Sequence, residues 1–164
     1  MKNTIAICPG SFDPVTVGHL DIIKRAAGMF SKVIVVVMTN ASKHPKFTAE
    51  ERVRMISIAA ADIPNVTVES YDGLLADYAA LKGAGAIVKG LRAMSDFEYE
   101  FQMALTNKKL NPNVETVFLT TNVEYMYLSS SMVKEIAGMG ADISDFVPEQ
   151  IHDIIVERLT SERK

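Results

Sequence analysis

The chain has 164 residues, of which 48% are hydrophobic and 23% charged, and its 17 Lys and Arg against 20 Asp and Glu give a net charge of −3. This composition excludes intrinsic disorder, and the acidic balance argues against a nucleic-acid partner, because phosphate backbones attract basic proteins. The one cysteine, Cys8, excludes an intrachain disulfide. The longest aliphatic run, residues 33–38, is far shorter than the roughly 20 residues of a membrane helix, so no membrane contact is expected. The N-terminal residues lack the pattern of an export signal, and we expect one cytoplasmic domain over residues 1–164.

Segments with the pattern of a strand and segments with the pattern of a helix alternate along the chain. The run at residues 33–38 is apolar throughout, which is typical of a parallel strand buried on both faces. Alternation of this kind predicts a doubly wound, Rossmann-like α/β fold, with a five-stranded parallel sheet and helices on both faces. The expected strands cover residues 3–8, 33–38, 65–70, 86–89 and 114–120.

Helices are predicted between these strands from apolar residues spaced by three and four. The first covers residues 18–30, the second begins at the capping box Thr48–Glu51, and Asp96 is the predicted N-cap of a longer helix. Two more helices are expected, one after Ser131 and one with Pro148 at its first position. The apolar faces of the four earlier helices are Leu20, Ile23, Ala27 and Phe30; Val53, Ile56 and Ala60; Leu74, Tyr78 and Leu81; and Phe97, Phe101, Ala104 and Leu105.

The loops that follow the strands carry the chemically distinctive residues. Right-handed crossovers bring the carboxyl ends of parallel strands to one edge of the sheet, where ligands bind near the switch in strand order. These loops contribute glycines, cations and hydroxyls, which together suit phosphate groups at helix N-termini. They are residues 9–19, 42–48, 73–75, 89–92 and 125–131.

The loop after the first strand carries the sharpest signal. Gly10 and Gly18 allow close approach of the backbone to a ligand, and His19 falls in the first turn of the next helix, where the helix dipole favours an anion. An imidazole at this position can donate to a phosphate oxygen, and the alternative is that it only caps or packs. The run Ser129–Ser131 suits anion binding or N-capping better than nucleophilic catalysis. The sequence contains no P-loop, no GxGxxG and no HExxH, so no protein metal site is predicted.

Residues 9–19, PGSFDPVTVGH, resemble the (T/H)xGH element of the nucleotidylyltransferase superfamily. Alone, that element leaves cytidylyltransferases and nicotinamide-mononucleotide adenylyltransferases open. Four further motifs are similar, in order and spacing, to the bacterial phosphopantetheine adenylyltransferase family, and the resemblance extends from Ile5 to about Leu159. These motifs are SKHPKFT at 42–48, GLRA at 90–93, DFEYE at 96–100 and SSS at 129–131.

The resemblance implies that ATP and 4′-phosphopantetheine react, with Mg²⁺, to give dephospho-coenzyme A and pyrophosphate. It also implies a homohexamer, feedback inhibition by coenzyme A, and His19 as the residue that stabilises the transition state. The ATP-binding residues it implies are Ser11, Phe12, His19, Gly90, Leu91, Arg92, Glu100, Tyr125, Met126, Tyr127, Leu128, Ser129, Ser130 and Ser131. Those implied for phosphopantetheine are Ser11, Lys43, Leu75 and Lys89.

Two positions depart from the family pattern. Ser11 replaces the frequent threonine and keeps its hydroxyl, whereas Lys89 replaces the usual arginine with a point charge that lacks the two-pronged geometry of a guanidinium. Glu100 would repel a triphosphate, so we expect it to bind a sugar hydroxyl or to orient Arg92, and the alternative is that it only lies on a solvated helix face.

Three other functions remain open from the sequence alone. They are a sister nucleotidylyltransferase with another acceptor or CTP, a non-catalytic nucleotide sensor, and a partner-binding domain. The last would use the stripe Ile151, Ile154, Ile155 and Leu159.

Overall fold

A computed structural model describes residues 4–40 and 43–161, with all side chains in these ranges except those of Met94 and Ser95. Asn3, at the start of the first predicted strand, and Ser42, in the lysine-bearing motif, lie outside the described residues. All of the predicted strands and helices form, and the strand bounds agree within two residues. The elements are β1 Ile5–Gly10, α1 Val17–Met29, β2 Lys32–Thr39, α2 Ala49–Ala59, β3 Val66–Asp72, α3 Leu75–Lys82, β4 Ala86–Leu91, α4 Met94–Leu110, β5 Glu115–Thr120, α5 Ser130–Gly138 and α6 His152–Ser161, with 3₁₀ turns at Val123–Tyr125 and Glu149–Ile151.

Within the described residues the strands form one parallel sheet in the order β3-β2-β1-β4-β5. This order confirms the predicted Rossmann-like α/β fold. Ile7 of β1 lies opposite Ile34 of β2 on one side and Ile87 of β4 on the other. The chain therefore winds outward in both directions from the β1–β4 pair, and a crevice opens beyond the carboxyl ends of these two strands.

The sheet is covered on both faces, because successive side chains of the central strands enter different cores. Ala6 and Cys8 of β1 pack into the larger core, formed with α1, α2, α5 and α6, whereas Ile7 packs into the smaller core with Tyr78 of α3. Burial raises the pKa of the Cys8 thiol to about 12, although the nearby Lys89 opposes this shift. Cys8 is thus a buried packing residue of the larger core.

The helices on the smaller-core face bury less apolar surface than their sequences predict. In α3 Tyr78 is buried, but Leu74 and Leu81 are 57% and 72% exposed, because the small side chains of this short helix face the sheet instead. In α4 Ala93 is the N-cap, and the predicted cap Asp96 lies in the first turn of the helix. Predicted apolar residues of α4 are exposed as well, namely Phe97, Phe101 and Leu105.

Capping and core packing in the other helices follow the sequence more closely. The Thr48 N–H donates to Glu51 at 2.8 Å and the Glu51 N–H donates to the Thr48 hydroxyl at 3.2 Å, which confirms the capping box. Pro148 is the N-cap of the 3₁₀ turn before α6, one position earlier than predicted.

No helix within residues 4–40 and 43–161 is both long and apolar enough to cross a membrane.

The stripe on and before α6 belongs to the core. Ile151, Ile155 and Leu159 are buried in the larger core, and Ile154 alone of the four is substantially exposed. This stripe is therefore not available as a docking face, which removes the sequence feature behind the partner-binding hypothesis.

Candidate active site

The loop between β1 and α1 forms one wall of the crevice. A Cβ added at Gly10 would lie 2.9 Å from the Phe12 ring, so the strand can end beside this ring only with glycine. Phe12 has a φ of 49°, a left-handed conformation that is costly for a residue with a side chain and concentrates at functional sites. Its buried ring meets the His19 ring edge-on, with centroids 5.1 Å apart. The loop thus holds an aromatic wall against the histidine.

His19 completes an unusual capping box at the start of α1. The Thr16 N–H donates to His19 Nδ1 at 3.0 Å, and the His19 N–H donates to the Thr16 hydroxyl at 3.3 Å. Since Nδ1 accepts a backbone hydrogen bond, the proton of the neutral imidazole resides on Nε2. His19 therefore caps the helix with one nitrogen and keeps the other as a donor, so the two sequence-based hypotheses for it are compatible.

The ring of His19 is neutral at physiological pH. Burial, together with the positive charges of Arg92 and Lys89, lowers its pKa from the usual 6.5 to about 4. The site thus keeps a neutral hydrogen-bond donor between two cations.

Each cation at the end of β4 faces a carboxylate from α4. Lys89 Nζ lies 3.4 Å from Glu100 Oε2, and Arg92 Nε lies 3.7 Å from Asp96 Oδ2. Arg92 also donates to the Leu128 carbonyl at 2.7 Å. The hypothesis that Glu100 orients Arg92 is therefore wrong, because Asp96, one helical turn earlier, has that position.

The three serines before and in α5 have different surroundings. The Ser129 hydroxyl caps the helix by accepting the Met132 N–H at 3.1 Å, and the Ser130 hydroxyl donates to the Pro14 carbonyl at 2.7 Å. Ser131 is exposed and lines both the cavity that contains His19 and a neighbouring one that contains Lys43. The Ser129 and Ser130 hydroxyls therefore stabilise the loops, and Ser131 lies in the first turn of α5, where the helix N-terminus favours an anion.

Three adjoining cavities lie at this edge of the sheet. The central cavity, of about 530 Å³, lies between β1, β4 and the N-termini of α1 and α5. The lysine cavity, of about 540 Å³, contains Lys43 and shares Ser130 and Ser131 with the central one. The side cavity, of about 100 Å³, shares Lys89 and Glu100 with the central one and reaches between α3 and α4. The three form a continuous surface with cations along its length.

Most of the residues implied by the resemblance lie on these walls. Lys43 and Ser11 line the lysine cavity, Leu75 lines the side cavity, and Lys89 lies at the junction of side and central cavities. Three implied ATP residues lie off the cavity walls: Leu91, Met126 and Tyr127, the last of which packs edge-on against Phe146. The central cavity contains Phe12, His19, Gly90, Arg92, Glu100, Tyr125, Leu128, Ser129, Ser130 and Ser131.

Several wall residues were not predicted individually. Thr16 and Asp96 line the central cavity and belong to motifs already identified, and Thr121 follows directly after β5, where the strand-end rule would have found it. Asn107 lines the side cavity and is 7% exposed, and no sequence pattern marks it, because only the packing of α4 against α3 turns it inward.

No group of three or more His, Cys, Asp or Glu side chains that could hold a metal ion occurs among the described residues. The two carboxylates of the central cavity, Asp96 and Glu100, each face a cation instead. A divalent cation here would depend on ligands carried by a substrate.

Comparison with known proteins identifies the class of protein that this fold and site define. Residues 7–136 match the cytidylyltransferase-like family, a class of nucleotidyltransferases. Two solved structures of a bifunctional NMN adenylyltransferase/ADP ribose pyrophosphatase from Francisella tularensis share the fold, with TM-scores of 0.71 and 0.67 at 15% and 16% identity. The chain spans about half the length of those two structures.

Closer relatives define the family. The chain is 58% identical to a phosphopantetheine adenylyltransferase of Caldanaerobacter subterraneus over 160 residues, covering 98% of both chains. Two further proteins of that name, from Heliobacterium modesticaldum and Lachnoclostridium phytofermentans, are 58% and 53% identical and match over 90% and 97% of this chain and 88% and 98% of their own. The chain belongs to the phosphopantetheine adenylyltransferase family.

The low pKa of His19 predicts a pH-dependent stability. Between about pH 6.5 and pH 4 the unfolded chain binds a proton at His19 that the folded chain excludes, so the free energy of unfolding should fall as the pH falls, with a slope approaching about 1.4 kcal/mol per pH unit. His19→Gln, which can still accept the Thr16 N–H, should flatten this slope in urea denaturation between pH 5 and 7.5. His152→Gln, near the C-terminus, is the control, and equal slopes for wild type and His19→Gln would contradict the assignment.

Proposed function

We infer that the protein transfers the adenylyl group of ATP to 4′-phosphopantetheine, giving dephospho-coenzyme A and pyrophosphate. Its kinship over nearly the whole chain with phosphopantetheine adenylyltransferases carries this conclusion. The cavities support it, because they offer fixed donors for phosphates, and the Thr16 hydroxyl beside His19 is engaged in capping α1. A non-catalytic nucleotide sensor would not need a neutral histidine as a hydrogen-bond donor beside Arg92 and Lys89.

ATP binds in the central cavity in this proposal. Its phosphates lie toward the N-termini of α1 and α5, where the helix dipoles attract negative charge. His19 donates from Nε2 to the α-phosphate, and Arg92, anchored on the Leu128 carbonyl, adds a fixed positive charge. Glu100 remains available for a ribose hydroxyl once Lys89 turns to a phosphate.

Phosphopantetheine approaches from the opposite end of the central cavity. Lys89, at the junction with the side cavity, binds the 4′-phosphate, and the pantetheine arm enters the side cavity past Leu75. Asn107, buried there, offers amide hydrogen bonds to the amide groups of that arm. Ser11 and Lys43 bind phosphate oxygens of the reactants from the lysine cavity. That cavity meets the central one at Ser130 and Ser131.

The reaction proposed is a direct in-line displacement. An oxygen of the 4′-phosphate attacks the α-phosphorus of ATP, the new P–O bond forms as the bond to the β-phosphate oxygen breaks, and pyrophosphate leaves. Two anions must meet, so lysines and Arg92 offset their repulsion. Alignment of bound reactants can contribute about 7–11 kcal/mol, and one fixed donor at the transition state about 3–4 kcal/mol.

Magnesium enters this proposal with ATP. Mg²⁺ keeps several waters and binds through phosphate oxygens in many nucleotide sites, which fits a cavity whose two carboxylates are paired with cations. When bound, it would neutralise charge on the phosphates, with Thr121 and Ser131 as neutral oxygen ligands nearby.

We propose a cytoplasmic location on the ground that ATP is supplied there. Coenzyme A, which carries the same pantetheine arm as the product, would inhibit by competing for the side and central cavities.

Helix α4 supports the further proposal that the protein forms a homo-oligomer, and we retain the hexamer as its size. Among the described side chains of this 17-residue helix, Asn107 alone is buried, whereas Phe97, Phe101 and Leu105, which share one face at a spacing of four, are 38%, 47% and 56% exposed. An apolar face of this extent on a soluble protein is typical of an interface. A second copy of the chain, presenting the same face, would cover it.

The proposed reaction is tested by pyrophosphate release from Mg-ATP. Release should occur with 4′-phosphopantetheine and be absent without it, and CTP or nicotinamide mononucleotide should not replace either substrate. Turnover only in one of these control reactions would assign the protein to another reaction, and nucleotide binding without turnover would make it a sensor.

His19→Ala should lower kcat by about 10²–10³, because it removes one preorganised donor from the transition state. Steady-state kinetics with both substrates saturating measures this, and circular dichroism checks that the fold is retained. His152→Ala serves as the histidine control and should have wild-type turnover. Near-native kcat for His19→Ala would exclude the proposed role.

Phe101→Glu should dissociate the assembly, because a carboxylate would be buried in the apolar interface. Sedimentation velocity should show a hexamer for the wild type and smaller species for this variant. Ser57→Glu, on the exposed side of α2, is the matched control and should leave the mass unchanged. A monomeric wild type would contradict the interface.

A further inference from the structure

Asp13 is a buried carboxylate to which the proposed reaction assigns no role. It is 5% exposed and follows the strained Phe12 in the β1–α1 loop. Its Oδ1 accepts the Phe47 N–H at 3.0 Å, and its Oδ2 accepts the Lys46 N–H at 3.0 Å and the Lys134 ammonium at 2.8 Å. One carboxylate thus joins the β1–α1 loop, the segment before α2, and α5.

A second buried charge, Arg52, also joins the β1–α1 loop to the segment before α2, but it donates to backbone carbonyls where Asp13 accepts from N–H groups. Arg52 of α2, 4% exposed, donates from Nε to the Phe47 carbonyl at 3.0 Å and from Nη1 to the Ser11 carbonyl at 2.8 Å. On the outer side, Arg158 of α6 donates to the Lys46 carbonyl at 3.1 Å. The N–H groups of residues 46 and 47 therefore point to Asp13 and their carbonyls to arginines.

The segment held in this way carries Lys43. Lys43 lies three positions before the anchored Lys46, and Pro45 lies between them. The Lys43 N–H donates to the Asn40 carbonyl at 3.0 Å. Both ends of residues 43–47 are thus fixed, one to the end of β2 and the other to Asp13. Lys43, Ser11, Asp13 and Lys134 all line the lysine cavity.

We propose that Asp13 is a positioning residue: it docks residues 43–47 against the β1–α1 loop so that the Lys43 ammonium is held where the lysine cavity meets the central one. The inference rests on the proposed function, since Lys43 is taken to bind a phosphate of the reactants. Asp13 itself touches no substrate and acts through Lys43. Asparagine cannot replace it, because the amide NH₂ would face a backbone N–H or the Lys134 ammonium, donor against donor.

A double-mutant cycle on kcat/KM for phosphopantetheine tests this role. Lys43→Ala should raise KM for phosphopantetheine more than KM for ATP. Asp13→Asn should lower kcat/KM about 10- to 100-fold, the scale expected when a group is misplaced by about 1 Å. In the Lys43→Ala background the same Asp13→Asn change should cost less than about threefold. Asp21→Asn, which breaks the half-exposed Asp21–Arg25 pair on α1 away from the three cavities, is the control for loss of a carboxylate.

Lys134→Met supplies a second cycle that does not depend on the folding of Asp13→Asn. It removes one partner of Asp13 at a side chain that is 25% exposed and leaves both backbone hydrogen bonds in place. Its loss of kcat/KM should be smaller, about threefold to tenfold, and should again vanish when Lys43 is alanine.

The outcomes separate the positioning role from the reaction itself. Losses that disappear in the Lys43→Ala background support positioning through Lys43. Losses of kcat/KM that simply add in the Asp13 cycle overturn the positioning role and leave Asp13 a structural residue. If Asp13→Asn does not fold, additive losses in the Lys134 cycle overturn the role in the same way. A wild-type protein that releases no pyrophosphate with phosphopantetheine would instead refute the proposed function.

Discussion

Parallel pairing of β1 with both β2 and β4 is the constraint on which the site depends. Because β1 is central and the chain winds away from it on either side, the loops after β1 and β4 face each other across a gap that no crossover fills. His19 comes from the first loop and its helix, and Lys89 and Arg92 come from the second. Strand order thus brings the histidine and the two cations together, although about 70 residues of chain separate His19 from the cations.

Within that gap, the electrostatic balance distinguishes the site from a simple cluster of cations. His19 loses its positive charge because it is buried beside Arg92 and Lys89, and its Nδ1 is occupied by the Thr16 N–H. Each cation is held by a carboxylate of α4, which limits repulsion before phosphates bind. The Thr16 N–H holds His19 and the Leu128 carbonyl holds Arg92, and donors fixed in this way lose little free energy to reorganisation when charge develops in a reaction.

The family assignment and the cavities support each other at different levels. Identity of 53–58% to phosphopantetheine adenylyltransferases identifies the family, whereas the structural neighbours at 15–16% identity establish only the fold. Lys89, at the position where the resemblance leads us to expect arginine, has a partner in the structure: its ammonium lies 3.4 Å from the Glu100 carboxylate. A lysine can leave such a partner for a phosphate by rotating its flexible stem, and its ammonium needs no planar alignment.

The sequence by itself determined the alternation of strands and helices, the capping box at Thr48, and the position of His19 in the first turn of α1. These features depend on local periodicity and on contacts within four residues, which a sequence expresses directly. It also located the loops that bear the site, since a strand end can be predicted without knowledge of its neighbours. Tertiary structure alone decided which carboxylate faces which cation, that Asn107 lines a cavity, and that the apolar residues of α4 lie outside the core. It also decided that Asp13 bonds to residues 33 and 34 positions away. The reason is that these contacts depend on how the elements pack across the sheet, and helical spacing shows which side chains share a face without showing what that face meets.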